Sequence, residues 1–246
     1  MFFKNISTKF LKFIKLFANN TTRRGLYFNI AASIELEDLI KDLELDIVID
    51  IGSNKGQFVL ILNKYFENIK ILSFEPINEL LEKQKKFFKN TKNNIKFFNT
   101  AVGALNSKID LNITRSKDSS SILEFEKIDN LGRNFDIVEK REINVITLED
   151  VLNNTDLNGS ILLKLDVQGY ELKVLEGAEK LLPKIKYIIT EVAENQIYKN
   201  QVTKNILLKY LKEKNFEILK SANEYRLKNT SYKQKDVLLV NKSLNK

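Results

Sequence analysis

From Asp46 onward, short runs of Ile, Val and Leu alternate with segments of helical period, and few folds accommodate that alternation. DIVIDI (46–51), IKILSF (69–74), NIKFFN (94–99), SILLKLDV (160–167) and KIKYIITEV (184–192) read as strands, the first and the last two of them buried. Between the first strands lie helical patterns over about 55–66 and 78–89. YELKVLEGAEKLL (170–182) and about 203–214 are helical later in the chain. REINVIT (141–147) reads as a further strand and LEDVLNN (148–154) as a short helix. NFEILK (215–220) and KDVLLV (235–240) resemble a closing antiparallel pair. Repeated βα units imply an α/β fold: a mostly parallel seven-stranded sheet, helices on both faces, and an antiparallel C-terminal strand pair. No internal repeat interrupts the pattern.

Before Asp46 the chain reads differently. Residues 2–18, FFKNISTKFLKFIKLFA, form an amphipathic helical pattern. Phe2, Phe3, Ile6, Phe10, Phe13, Ile14, Leu16 and Phe17 fall on one half of the wheel. Lys4, Lys12 and Lys15 lie elsewhere; Lys9 falls among the apolar positions, and Leu11 is the apolar exception. Such a helix packs on the domain, on a second subunit, or on a membrane surface. TTRRG (21–25) reads as a loop, and Ser33 as the cap of a short helix with Glu35, Glu37 and Asp38 in its first turn. The expected organisation is therefore an N-terminal helical extension, 1–45, and a main domain, 46–246. No apolar run reaches the ~20 residues that span a bilayer, and Lys interrupts the apolar N-terminus where a signal peptide would not. A cytoplasmic protein, with an option of membrane association through 2–18, is expected.

Two absences narrow the chemistry. The 246 residues include no Cys and no His. Thiolate nucleophiles, Cys-ligated zinc and Ser-His-Asp catalysis are thereby excluded. Catalysis must rest on Asp, Glu, Lys, Arg, Tyr, a hard cation or geometry. The net charge of +8, from 40 basic and 32 acidic residues, admits a polyanion partner. A Lys-studded solvated surface explains it as well.

In open parallel sheets, ligands bind beyond the carboxyl ends of the strands. After the first strand comes Asp50-Ile51-Gly52-Ser53-Asn54-Lys55-Gly56. Its GxxxG spacing lacks the middle glycine of a dinucleotide fingerprint, and no GK[ST] follows for a P-loop. A small ligand with an amino-acid tail and no phosphate fits better. After the second strand stands Glu75-Pro76, 23 residues beyond Gly52, where an acid can accept both hydroxyls of a ribose or can cap the next helix. After the third come Thr100, Ala101 and Val102, suited to an adenine. After the fourth, Lys164 and Asp166 share one strand face, and Gly169 turns the chain. Glu191 ends the fifth. Asp50, Glu75, Asp166 and Glu191 thus mark one rim.

DIGSNKGQF, FEP, AVG, SSS, INVITLEDVL, LLKLDVQGYELKVLEGA and IITEV, in that order and spacing, resemble the FkbM-type methyltransferases. The resemblance covers about 46–192, and the fold extends to about 240. It implies a Rossmann-like class I methyltransferase that uses S-adenosylmethionine. On that basis Asp50, Gly52, Asn54, Gly56 and Phe58 would hold the methionyl tail. Glu75 and Pro76 would meet the ribose, Thr100, Ala101 and Val102 the adenine, and Asp166 would border the cofactor. Two residues depart from the family: Ser53 stands where Ala is common, and Gln168 where Glu is usual. Gln168 retains hydrogen bonding but not proton transfer.

The expected activity is O-methylation of a hydroxyl on a sugar, surface glycan or small molecule. Asp166 is the expected general base and Lys164 its orienting neighbour. In a metal-assisted alternative, Asp166 and Glu191 hold a hard cation such as Mg²⁺; no metal is assumed. The SSS loop and the charged stretch 124–140 would close over the acceptor. Two rivals remain. A nucleic-acid methyltransferase fits the net charge, but no [DN]PP[YF] motif and no Cys supports it. A non-catalytic S-adenosylmethionine-binding module fits the change at Gln168.

Overall fold

The chain turns back on itself once, and that turn creates the cleft. A computed structural model describes residues 14, 16, 17, 19–126, 132–227 and 230–244. Most of the amphipathic segment 2–18 lies outside the described residues, as do 127–131 of the charged stretch.

Strands β1 (Ile47–Ile51), β2 (Lys70–Phe74) and β3 (Asn94–Phe98) run parallel and step outward in one direction. The chain then returns to place β7 (Ile161–Leu165) on the other side of β1, with β8 (Tyr187–Ala193) beside it, both parallel. β11 (Lys233–Asn241) pairs antiparallel with β8, and β9 (Phe216–Ser221) antiparallel with β11, as the C-terminal pattern predicts. The two-residue β10 (Tyr225–Arg226) adds an eighth, marginal strand at that edge. The point of reversal lies between β1 and β7, where Asp50 pairs in register with Lys164. Ligands of such sheets bind there.

Helices α3 (Gln57–Tyr65) and α4 (Asn78–Phe88) follow β1 and β2; α6 (Glu171–Glu176) and α7 (Lys204–Glu213) follow β7 and β8. β1 and β7 are buried along their full length, so alternate residues feed two cores. Val48, Leu162, Ile189 and Leu238 pack with α3 on one face. Ile47, Ile49, Leu163 and Leu239 pack with α6 and α7 on the other.

Four details differ from the sequence expectation. TTRRG is not a loop: it lies within α1 (Asn20–Tyr27), because the Asn19 side chain caps the amides of Thr21 and Thr22. Gly25 lets this helix approach α3; a Cβ there would lie 2.3 Å from Leu60. Ser33 makes no capping bond, and a 3₁₀ turn (Ile34–Leu36) precedes the one-turn α2 (Glu37–Ile40). The helix expected over 170–182 ends at Glu176. A Cβ on Gly177 would sit 1.9 Å from the carbonyl of Gly103, and Pro183 falls in a separate 3₁₀ turn, Leu182–Lys184. Finally, a second sheet joins β4 (Ala101–Val102), β5 (Ser107–Thr114) and β6 (Ile137–Ile146) in the order β4-β6-β5. β6 begins four residues before the expected REINVIT, inside the stretch read as irregular. The short α5 (Leu148–Leu152) follows β6, capped by the Thr147 hydroxyl. Residues before Asp46, among them Ile30, Leu36 and Ile40, share the core with α3. Among the described residues no helix is long and apolar enough to cross a membrane.

Candidate active site

At the reversal point a cleft of about 820 Å³ opens beyond the carboxyl ends of β1, β2, β7 and β8. That volume suits a ligand the size of a nucleoside with an added side chain. Ten of the residues expected there line it: Gly52, Asn54, Phe58, Glu75, Pro76, Thr100, Ala101, Val102, Lys164 and Asp166. Glu191 lines it too. Asp50 and Gly56 do not. Asp50 is fully buried beneath the floor. Gly56 packs against α4, where a Cβ would lie 2.5 Å from the Phe88 ring.

The turn after β1 is closed on itself. The amides of Gly52 and Ser53 donate to the Phe74 carbonyl at 3.1 and 3.0 Å, and Gly56 to the Ser53 carbonyl at 2.8 Å. The Asn54 amide donates to Glu75 Oε2 at 2.8 Å and the Lys55 amide to Gln57 Oε1 at 2.9 Å. All five amides are thus used inside the protein. A pyrophosphate would find no backbone donors there, so the missing middle glycine has a structural counterpart. Gly52 is required for a different reason: at φ +77° its Cβ would lie 1.9 Å from the Asp166 carbonyl. It lets the loops after β1 and β7 touch.

Gln84 holds the turn from α4. Its amide nitrogen donates to Ser53 Oγ and to the Asn54 carbonyl, both at 2.7 Å, and its oxygen accepts from Ser73 Oγ at 2.9 Å. Asp118, from the loop that carries the serine run, accepts from Asn54 Nδ2 at 3.1 Å and Lys55 Nζ at 3.2 Å. That loop lines the cleft through Lys117, Asp118, Ser120 and Ser121, whereas no described residue of 124–140 does.

Glu75 is buried, and its two oxygens accept the amides of Asn54 and Ile77, each at 2.8 Å. It is both the start signal of α4 and a wall of the cleft. Burial drives its pKa up to about 7 against those two amides, and the charges of Asp50 and Asp166 push the same way. One lone pair remains on each oxygen.

At the other end of the cleft Lys164 lies between two carboxylates, 3.3 Å from Asp50 Oδ1 and 3.3 Å from Asp166 Oδ2. Burial alone would lower its pKa, but Asp166, Asp50 and Asp236 override it, and the ammonium is held well above its ordinary value. Lys164 is a fixed cation and not a base. Asp50 itself is pushed up by burial and pulled back by Lys164. Replacing Lys164 with Met should strand the Asp50 charge at a cost of about 3–5 kcal/mol. Denaturant titration should show that loss, and adding Asp50→Asn should recover much of it.

Asp166 is the acid open to the cleft, with its side chain 45% exposed. Beyond it stand Glu191 on β8 and Asp236 on β11, opposite each other in register. Burial raises both, Asp236 to about 7 and Glu191 well above its ordinary value, with Asp166 adding to each shift. Among the described residues no three acids lie close enough to hold a metal ion.

The sequence reading did not anticipate several walls. Ser33 and Glu35 come from the N-terminal segment, and Gln234, Lys235 and Asp236 from β11. Gln84 carried a signal: it falls on the apolar stripe of α4 with Leu80, Leu81, Phe87 and Phe88.

Residues 50–218 match the family model described as the methyltransferase FkbM domain. The chain belongs to the FkbM methyltransferase family. A methyltransferase needs a methyl donor, and S-adenosylmethionine carries one on a sulfonium together with an amino-acid tail, a ribose and an adenine. The cleft fits that group. Glu75 presents two free lone pairs for the ribose, and the turn offers no phosphate site. Asn54 Oδ1, buried and without a hydrogen-bond donor, awaits one such as the tail ammonium.

The chain is similar to several solved structures. TehB from Haemophilus influenzae is 12% identical with a TM-score of 0.50, covering 86% of this chain and 63% of its own. SMU.1697c from Streptococcus mutans, in complex with S-adenosylhomocysteine, is 13% identical with a TM-score of 0.47, covering 86% of this chain and 99% of its own. TrmK from M. capricolum, with the same cofactor product, is 12% identical with a TM-score of 0.45, covering 87% of this chain and 70% of its own. A search of curated proteins finds no match.

Proposed function

We propose that this FkbM-family enzyme is an O-methyltransferase acting on a hydroxyl of a sugar, surface glycan or other small molecule. The observation that carries the proposal is Asp166, a half-exposed carboxylate at the end of β7, held by Lys164 and open to the same cleft that Glu75 borders. S-adenosylmethionine, when bound, supplies an electrophilic methyl on a sulfonium. Gly52, Asn54 and Phe58 would hold its tail, Glu75 and Pro76 its ribose, and Thr100, Ala101 and Val102 its base. Asp50 and Gly56 support that half from behind. The remaining task is the acceptor's. An alcohol oxygen is a weak nucleophile until its proton begins to leave, and Asp166 receives that proton. Lys164 keeps the carboxylate oriented.

The walls also bear on the acceptor class. Seven carboxylates line the cleft (Glu35, Glu75, Asp118, Asp166, Glu191, Glu224 and Asp236) against three ammonium groups, Lys117, Lys164 and Lys235. Even with Glu75, Glu191 and Asp236 partly protonated by burial, the other four acids outnumber the ammonium groups, so a phosphodiester backbone would meet net repulsion there despite the net charge of +8 on the whole chain. A hydroxylated neutral acceptor would not.

Glycans from cells that carry the gene, compared with a deletion strain, test the proposal. A mass gain of one methylene located on an oxygen is the expected result. Label passing from the methyl-labelled cofactor only to RNA or DNA, or to no acceptor, would overturn it.

A further inference from the structure

Asp166 is braced from behind by side chains that proton transfer alone does not require. Gln168 Nε2 donates to Asp166 Oδ1 at 2.9 Å, and the Tyr198 hydroxyl donates to Gln168 Oε1 at 2.8 Å. The backbone carbonyl of Gln168 accepts from Ser121 Oγ at 2.7 Å. Tyr198 is only 1% exposed, and its ring packs 4.8 Å from that of Phe125. Gln168 itself sits at φ +53°, in the left-handed region. A side-chain-bearing residue occupies that region only against steric crowding of its Cβ. The strain and the three hydrogen bonds serve one arrangement.

The chemistry of the chain fixes which atom faces which. A carboxylate can only accept, so the amide must turn its NH₂ to Asp166 and its oxygen to Tyr198. Burial, with the neighbouring Glu191 charge, holds the tyrosine pKa well above its ordinary value, so its hydroxyl remains a donor. The side chain between them must donate on one side and accept on the other without carrying charge. An amide does so at every pH. A carboxyl of the same length does so only while protonated; ionised, it would oppose Asp166 as a like charge.

We propose that Gln168, backed by Tyr198, is the positioning residue that fixes the Asp166 carboxylate toward the acceptor hydroxyl and keeps that alignment independent of pH. The proposal rests on Asp166 acting as the base. It isolates Asp166 from a crowded field. Lys164 on the same strand, Asp50 on β1 and Glu75 after β2 face it, as do Glu171 at the start of α6, Glu191 on β8, Asp236 on β11 and Tyr198. With Oδ1 tied to a neutral donor and Oδ2 to Lys164, titration of the surrounding acids does not turn the carboxylate.

Gln168→Glu, Gln168→Met and Tyr198→Phe test this through pH profiles of kcat, KM for cofactor and acceptor, and cofactor affinity by calorimetry. Wild-type kcat is expected to rise with pH to a plateau. Gln168→Glu should approach it on the acid side and then fall as the new carboxyl ionises, reaching at least about tenfold below wild type at alkaline pH. Gln168→Met should lower kcat without a new alkaline limb, with the cofactor KM unchanged. Tyr198→Phe should do the same more weakly. A Gln168→Glu profile parallel to the wild type, or full turnover in Gln168→Met, would overturn the proposal. Asp166→Asn in the same panel separates the two levels. If it turns over normally, the base assignment falls. If it is inactive while Gln168→Glu behaves as wild type, the positioning role alone falls.

Discussion

Asp166→Asn is expected to cut turnover by about 10²–10⁴-fold while cofactor affinity stays within about threefold. Asn keeps the size of the side chain and one hydrogen-bond-accepting oxygen, but it cannot take a proton from an alcohol. Its NH₂ would also have to face one of two donors, Lys164 Nζ or Gln168 Nε2. The groups proposed to hold the cofactor are others: Glu75, the β1 turn and the strand end at Thr100–Val102, all of which line the cleft. Stability should not fall with activity. Lys164 retains its partner Asp50 at 3.3 Å, and removing the Asp166 charge relieves Glu75, Glu171, Glu191 and Asp236, each of which it pushes upward. Single-turnover kinetics alongside calorimetry should therefore show a loss of rate without a loss of binding. Near-normal turnover would remove Asp166 from its role and leave the hydroxyl acceptor unsupported.

Much of this geometry can be read from the sequence because it is local. A buried strand ending in an acid and followed by a glycine turn places that acid at the rim, whatever the rest of the chain does. Glu75, Lys164 and Asp166 were found in this way. Asp50 obeys the same rule and yet lies under the floor. Its register partner on β7 is Lys164, and a buried ammonium opposite a carboxylate pulls it inward; that pairing depends on strand order, which local pattern does not state. The second sheet was hidden for a related reason. REINVIT reads as a strand, but the pairing of β6 with β5 spans the charged stretch between them. α1 was missed because Thr-Thr-Arg-Arg-Gly has poor helical propensity; the Asn19 cap and the close approach of Gly25 to Leu60 outweigh it. Gln84 is the instructive case. A polar residue on an apolar helix stripe asks for a buried partner, and its partner is the glycine turn itself.

Glu75→Gln should weaken cofactor binding by about 100-fold or more, since two hydrogen bonds from a diol to a charged acceptor contribute about 1.5–3 kcal/mol each. The substitution also leaves an NH₂ facing either the Asn54 or the Ile77 amide, so the turn loosens as the diol site is lost. The pH dependence separates these two effects. In the empty cleft burial holds Glu75 near a pKa of about 7, against 4.5 for a free side chain. The folded protein therefore keeps a proton that the unfolded chain has released. This contribution to stability is fully present below about pH 4.5 and is lost as pH rises through about 7. Glu171 and Asp236, also raised to about 7, act in the same direction. On the proposed reading, ribose hydroxyls would donate to the ionised carboxylate, so cofactor binding would drive the proton off. Affinity should then improve as pH rises through 7 and level above it, and the melting-temperature gain from S-adenosylmethionine should be larger at pH 8 than at pH 6. In Glu75→Gln that slope should vanish along with most of the affinity. Calorimetric titration of both proteins across this range reads each effect. A wild-type affinity that is flat between pH 6 and 8, or a Gln variant that binds as tightly as the parent, would show that the diol is held elsewhere and that Glu75 serves only to fasten the β1 turn to the start of α4.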